Sequence, residues 1–321
     1  MSGSKWQPSA SIASLRLAAE LRTTIRDYMQ SQNVLEVCTP ALSHAATTDP
    51  AIHSFQVSNR FLHTSPEFAM KRLLVAYETD IYQLCQVFRD EEQGRFHNAE
   101  FSLLEWYRIG SDHVSLMRDV ERLMLACADL GGVAWQQARC LNYTDEVARV
   151  CELPFTDITV EHIESVFNVR KKSYPAAIGN DLDAACDLLL DEFVIASFQP
   201  SQTTFIVDYP ASQAALSRTR TNEQGVNVAS RFELYWGTVE LANGFHELAD
   251  ATEQRARFEQ DLQTRRERGL ADVPMDENLL SALEQGLPDC AGVALGIDRL
   301  LMVLSGADHI GDVQSFVAER A

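Results

Sequence analysis

The chain of 321 residues has no excess of basic charge: 27 Lys and Arg stand against 46 Asp and Glu, a net charge of -19. A protein that grips nucleic acid along its surface neutralises phosphates with a basic face. Broad binding of DNA or RNA is therefore excluded as a primary role, although a local basic pocket for a nucleotide is not, because fields act locally. Paired cysteines are missing too. Cys38, Cys85, Cys127, Cys140, Cys151, Cys186 and Cys290 are odd in number and widely spaced, with no C-x-x-C. That argues against a disulfide scaffold or a cysteine zinc site and fits free thiols in a reducing cytoplasm. No stretch approaches the ~18 apolar residues of a membrane span, and residues 1–10 have no apolar signal core. A cytoplasmic protein without membrane contact is expected. Internal repeats, low-complexity tracts and linkers are also absent, so a single domain over residues 1–321 is the simplest organisation.

What is present is a 46% share of hydrophobic residues, enough to fill a sizeable core at this length. Ser11 is placed to cap a helix through about residue 30, with a stripe at Ile12, Leu15, Ala18, Ala19, Ile25 and Tyr28. Residues 34–37 read as a short strand, 44–58 as a loop, 61–66 as a strand and 68–76 as a helix. Residues 81–89 and 100–107 form two strands of a hairpin around a long charged loop. Helices are expected at about 111–129, 143–150, 160–167 and 182–197. Those from about 111 to 200 read as a helical insertion. Residues 204–208 form a strand, and 229–242 form two more joined at Trp236-Gly237. Helices at 253–268 and 278–285 follow, and 292–305 opens as a strand and continues as a helix. Strands at both ends separated by helices imply an α+β fold, an antiparallel sheet flanked by helices.

Three segments carry residues suited to chemistry. The loop Phe88-Arg89-Asp90-Glu91-Glu92 with Arg95, Phe96, His97 and Asn98 is, on composition, most simply a solvated hairpin loop. Yet its cations stand next to a strand on which Phe101, Leu103 and Glu105 alternate onto one face, and guanidinium groups match phosphate oxygens. In the second segment, a turn at Trp236-Gly237 would set Glu233 opposite Glu240. Facing carboxylates repel, and a shared Mg2+ would remove the penalty; two glutamates pointing into water are the alternative. Glu247 follows closely and is by itself a surface residue or a partner for a cation. The third segment is Gly292-Val293-Ala294-Leu295-Gly296-Ile297-Asp298-Arg299-Leu300. Its small residues permit close approach of a ligand, and Arg299 falls near a helix start that favours phosphate. The plainer alternative is a buried strand feeding a helix capped by Asp298.

Together and in this order, the pieces resemble the signature motifs of class II aminoacyl-tRNA synthetases. The helix and strand ending at Pro40 resemble motif 1, Phe88 to Phe101 resembles motif 2, and Gly296 to Leu300 resembles motif 3. Thr64-Ser65-Pro66-Glu67, His97 to Phe101, Leu104-Glu105-Trp106-Tyr107 and Glu240 to Leu248 resemble the lysyl branch. Along nearly its whole length the chain is similar to the lysyl-type paralogues that modify elongation factor P with (R)-β-lysine. Two departures from tRNA-charging lysyl enzymes agree with this. Motif 1 begins almost at once, where those enzymes carry an anticodon-binding barrel, and Ala294 stands where they usually have glycine. Other departures are Asp90 in place of a common asparagine, Ala99 in place of a usual proline, and a short loop over 53–62.

The resemblance implies a ligase that joins an amino-acid carboxylate to AMP and then passes the acyl group to an amine, with ATP and Mg2+. By position, Arg89 and Arg299 would act on the reacting phosphates. Asp90, Glu91, His97, Asn98, Phe101, Glu240, Leu241 and Gly296 would complete the ATP site, and Glu233 and Glu240 would hold Mg2+. Ser65, Pro66, Glu67, Glu105, Tyr107, Glu247 and Ala294 would bind the amino acid, whose two ammonium groups suit a pocket of glutamates. The implied partners are (R)-β-lysine, elongation factor P and a second copy in a homodimer; the charge balance argues against tRNA. The alternatives are lysine activation for tRNA or another amine, and a non-catalytic amino-acid sensor, which should have lost Arg89, Arg299, Glu233 or Glu240.

Overall fold

The computed structural model describes residues 6–90 and 93–321. The chain divides into two compact units, the first made of residues up to Trp135 together with Leu241–Ala321, the second of Gln136–Glu240.

The first unit opens with α1 (Ile12–Ser31), whose Ser11 side chain accepts the Ser14 N–H, as expected of a cap. Ala18, Leu21, Ile25 and Met29 form its buried stripe. Then come β1 (Leu35–Glu36), the small ribbon β2 (Leu42–Ser43), β3 (Gln56–Val57) and β4 (Arg60–Leu62), α2 (Glu67–Tyr77), β5 (Ile81–Phe88), β6 (Glu100–Ile109) and α3 (His113–Ala128). The second unit carries β7 (Arg139–Asn142), α4 (Tyr143–Cys151), α5 (Val160–Val169), α6 (Leu182–Phe193), β8 (Thr203–Val207), β9 (Thr219–Thr221), β10 (Asn227–Ala229) and β11 (Arg231–Trp236). Strand β12 (Val239–His246) starts there and runs on into the first unit, which finishes with α7 (Ala251–Glu267), α8 (Glu277–Gly286), β13 (Cys290–Gly296) and α9 (Ile297–Ser305).

The first unit's strands are ordered β1-β5-β6-β13-β12. β5, β6, β13 and β12 are antiparallel, and their register sets Glu105 between Gln83 and Ala294, and Tyr107 between Ile81 and Gly292. The expected antiparallel sheet is corrected at its margin: β1 runs parallel to β5. In the second unit β8 pairs antiparallel with β11 and parallel with β7, a strand that the sequence does not announce. Apolar faces of α4, α5 and α6 meet around Tyr143, Val147, Ile163, Phe167, Cys186 and Leu189, an independent core.

Three local expectations change. The turn after β11 is Gly237-Thr238, one residue later than Trp236-Gly237. Gly237 has φ +56, and a Cβ there would lie 3.1 Å from the Pro200 carbonyl oxygen, so glycine is needed at this place. A two-residue turn at this position sets Tyr235 opposite Glu240 and leaves Glu233 diagonal to it on the same face. Asp298 is not a cap: Gly296 is the residue before α9, and buried Asp298 accepts the Ser102 N–H at 2.8 Å. Ser102 lies just beyond the last β13–β6 pair, Gly296 with Leu103, so the carboxylate satisfies an amide the ladder no longer reaches. Finally, the helix expected over 182–197 ends at Phe193 and continues as a separate 3-10 turn, Ile195–Ser197.

Candidate active site

On the first unit, the backbone N–H of Arg89 donates to the Ala99 carbonyl at 2.8 Å, closing the base of the charged loop between β5 and β6. Its guanidinium lies 5.1 Å over the Phe101 ring, and Nε approaches the Thr64 carbonyl at 3.4 Å. Cation and aromatic are thus brought together, as the strand alternation suggested. At the start of α9, Arg299 lies 2.7 Å from His97 Nε2 and donates to the Phe96 carbonyl at 3.2 Å. A guanidinium can only donate, so Nε2 accepts and the imidazole proton sits on Nδ1. Gly296 precedes this turn and borders the Arg299 side chain. Asp90 is exposed, its N–H bound to the His53 carbonyl at 2.8 Å. Asn98 is buried, and its amide donates to the Glu100 carbonyl at 3.1 Å and Gln314 Oε1 at 2.8 Å. The Asn98 amide nitrogen is thus engaged within the protein on both of its hydrogens. Glu91 lies outside the described residues.

A second group of side chains, on the same unit, converges from three elements. Pro66 immediately precedes α2 and Glu67 opens it. The Ser65 hydroxyl accepts the Glu67 N–H at 3.0 Å and donates to Glu105 Oε2 at 2.6 Å. Tyr107, two residues along β6 and so on the same face, donates to Glu105 Oε1 at 2.7 Å. One turn along α2 from Glu67, Lys71 places its Nζ 2.7 Å from Glu67 Oε1 and 2.6 Å from Glu247 Oε2. Glu247 is held in place by its N–H to the Cys290 carbonyl at 3.0 Å. Gly292 makes the close approach possible: a Cβ there would fall 2.3 Å from the Tyr107 ring and 2.6 Å from Glu247 Oε1. Half-buried Ala294 sits beside Glu105 in the register.

The electrostatics follow from burial. Lys71 and Glu247 are each 1% exposed and Glu105 3%, so bulk water screens none of them. Burial, then the charge of Glu67, pushes the Glu105 carboxyl up to about 8 against the help of its two donors. Burial raises Glu247 to about 7, with Lys71 opposing. Burial works against the Lys71 ammonium, but Glu247 and Glu67 outweigh it and hold the charge in place. The Tyr107 hydroxyl is raised well above its ordinary value by burial and by the neighbouring carboxylates. Ser65, Pro66, Glu67, Glu105, Tyr107, Glu247 and Ala294 were legible as a set; Lys71 was missed. Its signal was the Glu67-x-x-x-Lys71 spacing, which puts the pair on one helix face.

In the second unit, Arg231 reaches Glu233 Oε1 at 2.5 Å, donates to the Gln213 carbonyl at 3.0 Å and lies 4.4 Å over the Tyr209 ring. The Tyr235 hydroxyl donates to Glu233 Oε2 at 2.7 Å. Buried Leu241 follows half-buried Glu240 on β12. Burial, then the charges of Asp187, Glu233 and Glu240, raises Asp191 to about 6. Arg231 and Tyr235 thus engage both Glu233 oxygens. Carboxylate oxygens are of the kind Mg2+ takes, one or two of them with water and phosphate completing its shell, and an ion here would share Glu233 with those two donors. Among the described residues no group of three or more His, Cys, Asp and Glu is gathered as metal ligands, so any ion there needs phosphate oxygens as well. All seven cysteines are free, and among the described residues no helix is long and apolar enough to cross a membrane.

The model of the family described as tRNA synthetases class II (D, K and N) matches residues 6–320. The chain is 45% identical over 324 aligned positions, 97% of each chain, to the elongation factor P–(R)-β-lysine ligase of Vibrio parahaemolyticus. It is 43% identical to the proteins of that name from Vibrio cholerae, over 100% of each chain, and Salmonella paratyphi A, over 98% of each. A sheet that presents arginine over an aromatic ring, a motif-3 arginine at a helix start and a family match over nearly every residue have one reading: the chain belongs to the class II tRNA synthetases of the D, K and N group and is an ATP-dependent ligase.

Proposed function

We propose that the enzyme activates (R)-β-lysine as its adenylate and transfers the acyl group to a lysine ε-amino group of elongation factor P. The observation that carries the substrate is the convergence of buried Glu105 and Glu247 with half-buried Glu67, together with the hydroxyl donors Ser65 and Tyr107. A pocket with three carboxylates selects a small molecule with more than one ammonium group. The acceptor comes from the names of the relatives above.

In the first step a carboxylate oxygen of the amino acid forms a bond to the α-phosphorus, and the bond to pyrophosphate breaks. Arg89 would neutralise the growing charge on the α-phosphate, with His97 and Arg299 on the outer phosphates and Phe101 against adenine. Glu233 and Glu240 would hold Mg2+, an ion that supplies charge neutralisation to phosphate. Catalysis here is mostly positioning and electrostatics. In the second step the acceptor amine attacks the acyl carbon, AMP leaves, and the amine gives up a proton. In this reading Gln136–Glu240 elaborates a single catalytic domain, α1 and β1 serve a homodimer as motif 1, and the free cysteines suit the cytoplasm.

The test is ATP–pyrophosphate exchange with (R)-β-lysine, (S)-β-lysine and L-α-lysine. Exchange should be strongest with the (R)-β isomer. Arg89→Ala should lower it by roughly 100-fold or more, the usual scale for one transition-state donor. No exchange with any isomer would refute the activity, and a preference for L-α-lysine would move the acceptor to tRNA.

A further inference from the structure

Lys71 has no part in the reaction just proposed, yet its Nζ lies at the heart of the substrate set, 2.7 Å from Glu67 and 2.6 Å from Glu247, and 1% exposed. An ammonium taken out of water is costly unless carboxylates surround it, so its presence there calls for a reason. The formal charges supply one. Glu67 on α2, Glu105 on β6 and Glu247 after β12 bring three negative charges, and Lys71 brings one positive. The other titratable neighbours are neutral near pH 7: Tyr107 on β6 is raised well above its ordinary value, and burial pushes the Cys85 thiol on β5 up to about 12. Ser65, Gln83 and Gly292 carry no charge.

We propose that Lys71 sets the charge of the amino-acid pocket: its ammonium clamps Glu67 and Glu247 and leaves two negative charges, the complement of a substrate with two ammonium groups. This rests on the diamino-acid reading above. It makes Lys71 a positioning and specificity-determining residue that touches the carboxylates and not the reacting atoms.

The empty pocket cannot keep two uncompensated charges away from water. It takes up a proton, chiefly on Glu105, whose carboxyl burial holds near 8. A dication reverses the balance. The O–H bond of that carboxyl breaks, the proton passes to buffer, and the freed carboxylate accepts hydrogen bonds from the incoming ammonium. A monocation of the same length supplies half the charge and leaves the proton in place.

The test is calorimetric titration of the full chain at pH 7 in PIPES and in imidazole, buffers of different ionisation enthalpy, with (R)-β-lysine and with 6-aminohexanoate. About one proton should be released per (R)-β-lysine bound, and far less with 6-aminohexanoate. Lys71→Met should weaken (R)-β-lysine binding at least ~10-fold with ATP affinity within ~2-fold, and should narrow the preference for (R)-β-lysine over 6-aminohexanoate. Lys71→Arg should return that preference toward the parent's. A purely structural lysine would lower the melting temperature and leave the preference unchanged. Parent enzyme that binds (R)-β-lysine with the same heat in both buffers would overturn the inference, whether or not Lys71→Met folds. No binding of any lysine isomer would overturn the diamino-acid reading and this one with it.

Discussion

Gly292 is the smallest residue in the substrate set and the one with the least room to change. Its missing Cβ is the space in which the Tyr107 ring and a Glu247 oxygen lie. Gly292→Ala forces one of them to move, and overpacking of this kind costs about 1–3 kcal/mol. The expected result is a KM for the amino acid raised roughly 10–100-fold, with the KM for ATP little changed because Arg89, Phe101 and Arg299 do not touch the site of the change. Steady-state exchange kinetics with each substrate varied in turn would check this, and equal loss on both sides would contradict it. Such residues differ in how far a sequence can reveal them. Glu105 stands out by its alternation with Phe101 and Leu103 on one strand face, whereas Glu67 and Glu247 are marked only by the resemblance to the lysyl branch. Lys71 is one of only four lysines, with Lys5, Lys171 and Lys172, but only the fold shows that Glu247, far away in the chain, closes over it. Asn98 was legible as a polar loop residue, but the engagement of its amide was not, because its partner Gln314 comes from the other end of the chain.

Among the elements, the junction of β13 and α9 does more than join a strand to a helix. Asp298 reaches back from the first turn of α9 to the Ser102 amide and also accepts from Gln314 Nε2 at 3.1 Å. Replacing it with alanine strands a buried amide, a loss of about 1–3 kcal/mol. Asp298→Ala should therefore lower the denaturant midpoint without changing the slope of the transition, while Arg299 beside it still presents its guanidinium. The longer elements were legible in the chain to within a residue or two. α1, α3, β5 and β6 each have a clear apolar period and a polar boundary. β7 was not, because Arg139-Cys140-Leu141-Asn142 has no alternation of its own and is a strand only through its pairing with β8. The parallel run of β1 beside β5 was equally hidden, since direction is decided by tertiary pairing. The need for glycine at Gly237 was hidden as well, since the Pro200 backbone that crowds it is distant in sequence.

For the molecule as a whole, the raised carboxyls predict how stability responds to pH. Glu105 rises from its ordinary 4.5 to about 8 and Glu247 to about 7. Their folded forms hold protons that the unfolded chain has released. The stability they confer is fully present below about pH 4.5 and is lost as pH climbs through 7 and 8. Asp191 and Asp261, both raised to about 6 by burial first, add to the same trend. The melting temperature should therefore fall between about pH 4.5 and 8 and level off above, and (R)-β-lysine should raise it more at pH 8 than at pH 6; a flat thermal-shift profile would contradict the pocket electrostatics.

Strand order carries a consequence for biosynthesis. β13, near the end of the chain, is the strand that fits between β6 and β12. While the polypeptide is still on the ribosome, Gln136–Glu240 can emerge complete and settle around its own core. β6, made much earlier, keeps a bare edge until Cys290–Gly296 is translated, on the order of ten seconds or more at ~5–20 residues per second. A nascent chain cut short before that strand would hold a finished second unit attached to an unfinished sheet, the kind of open edge that chaperones bind and proteases clear.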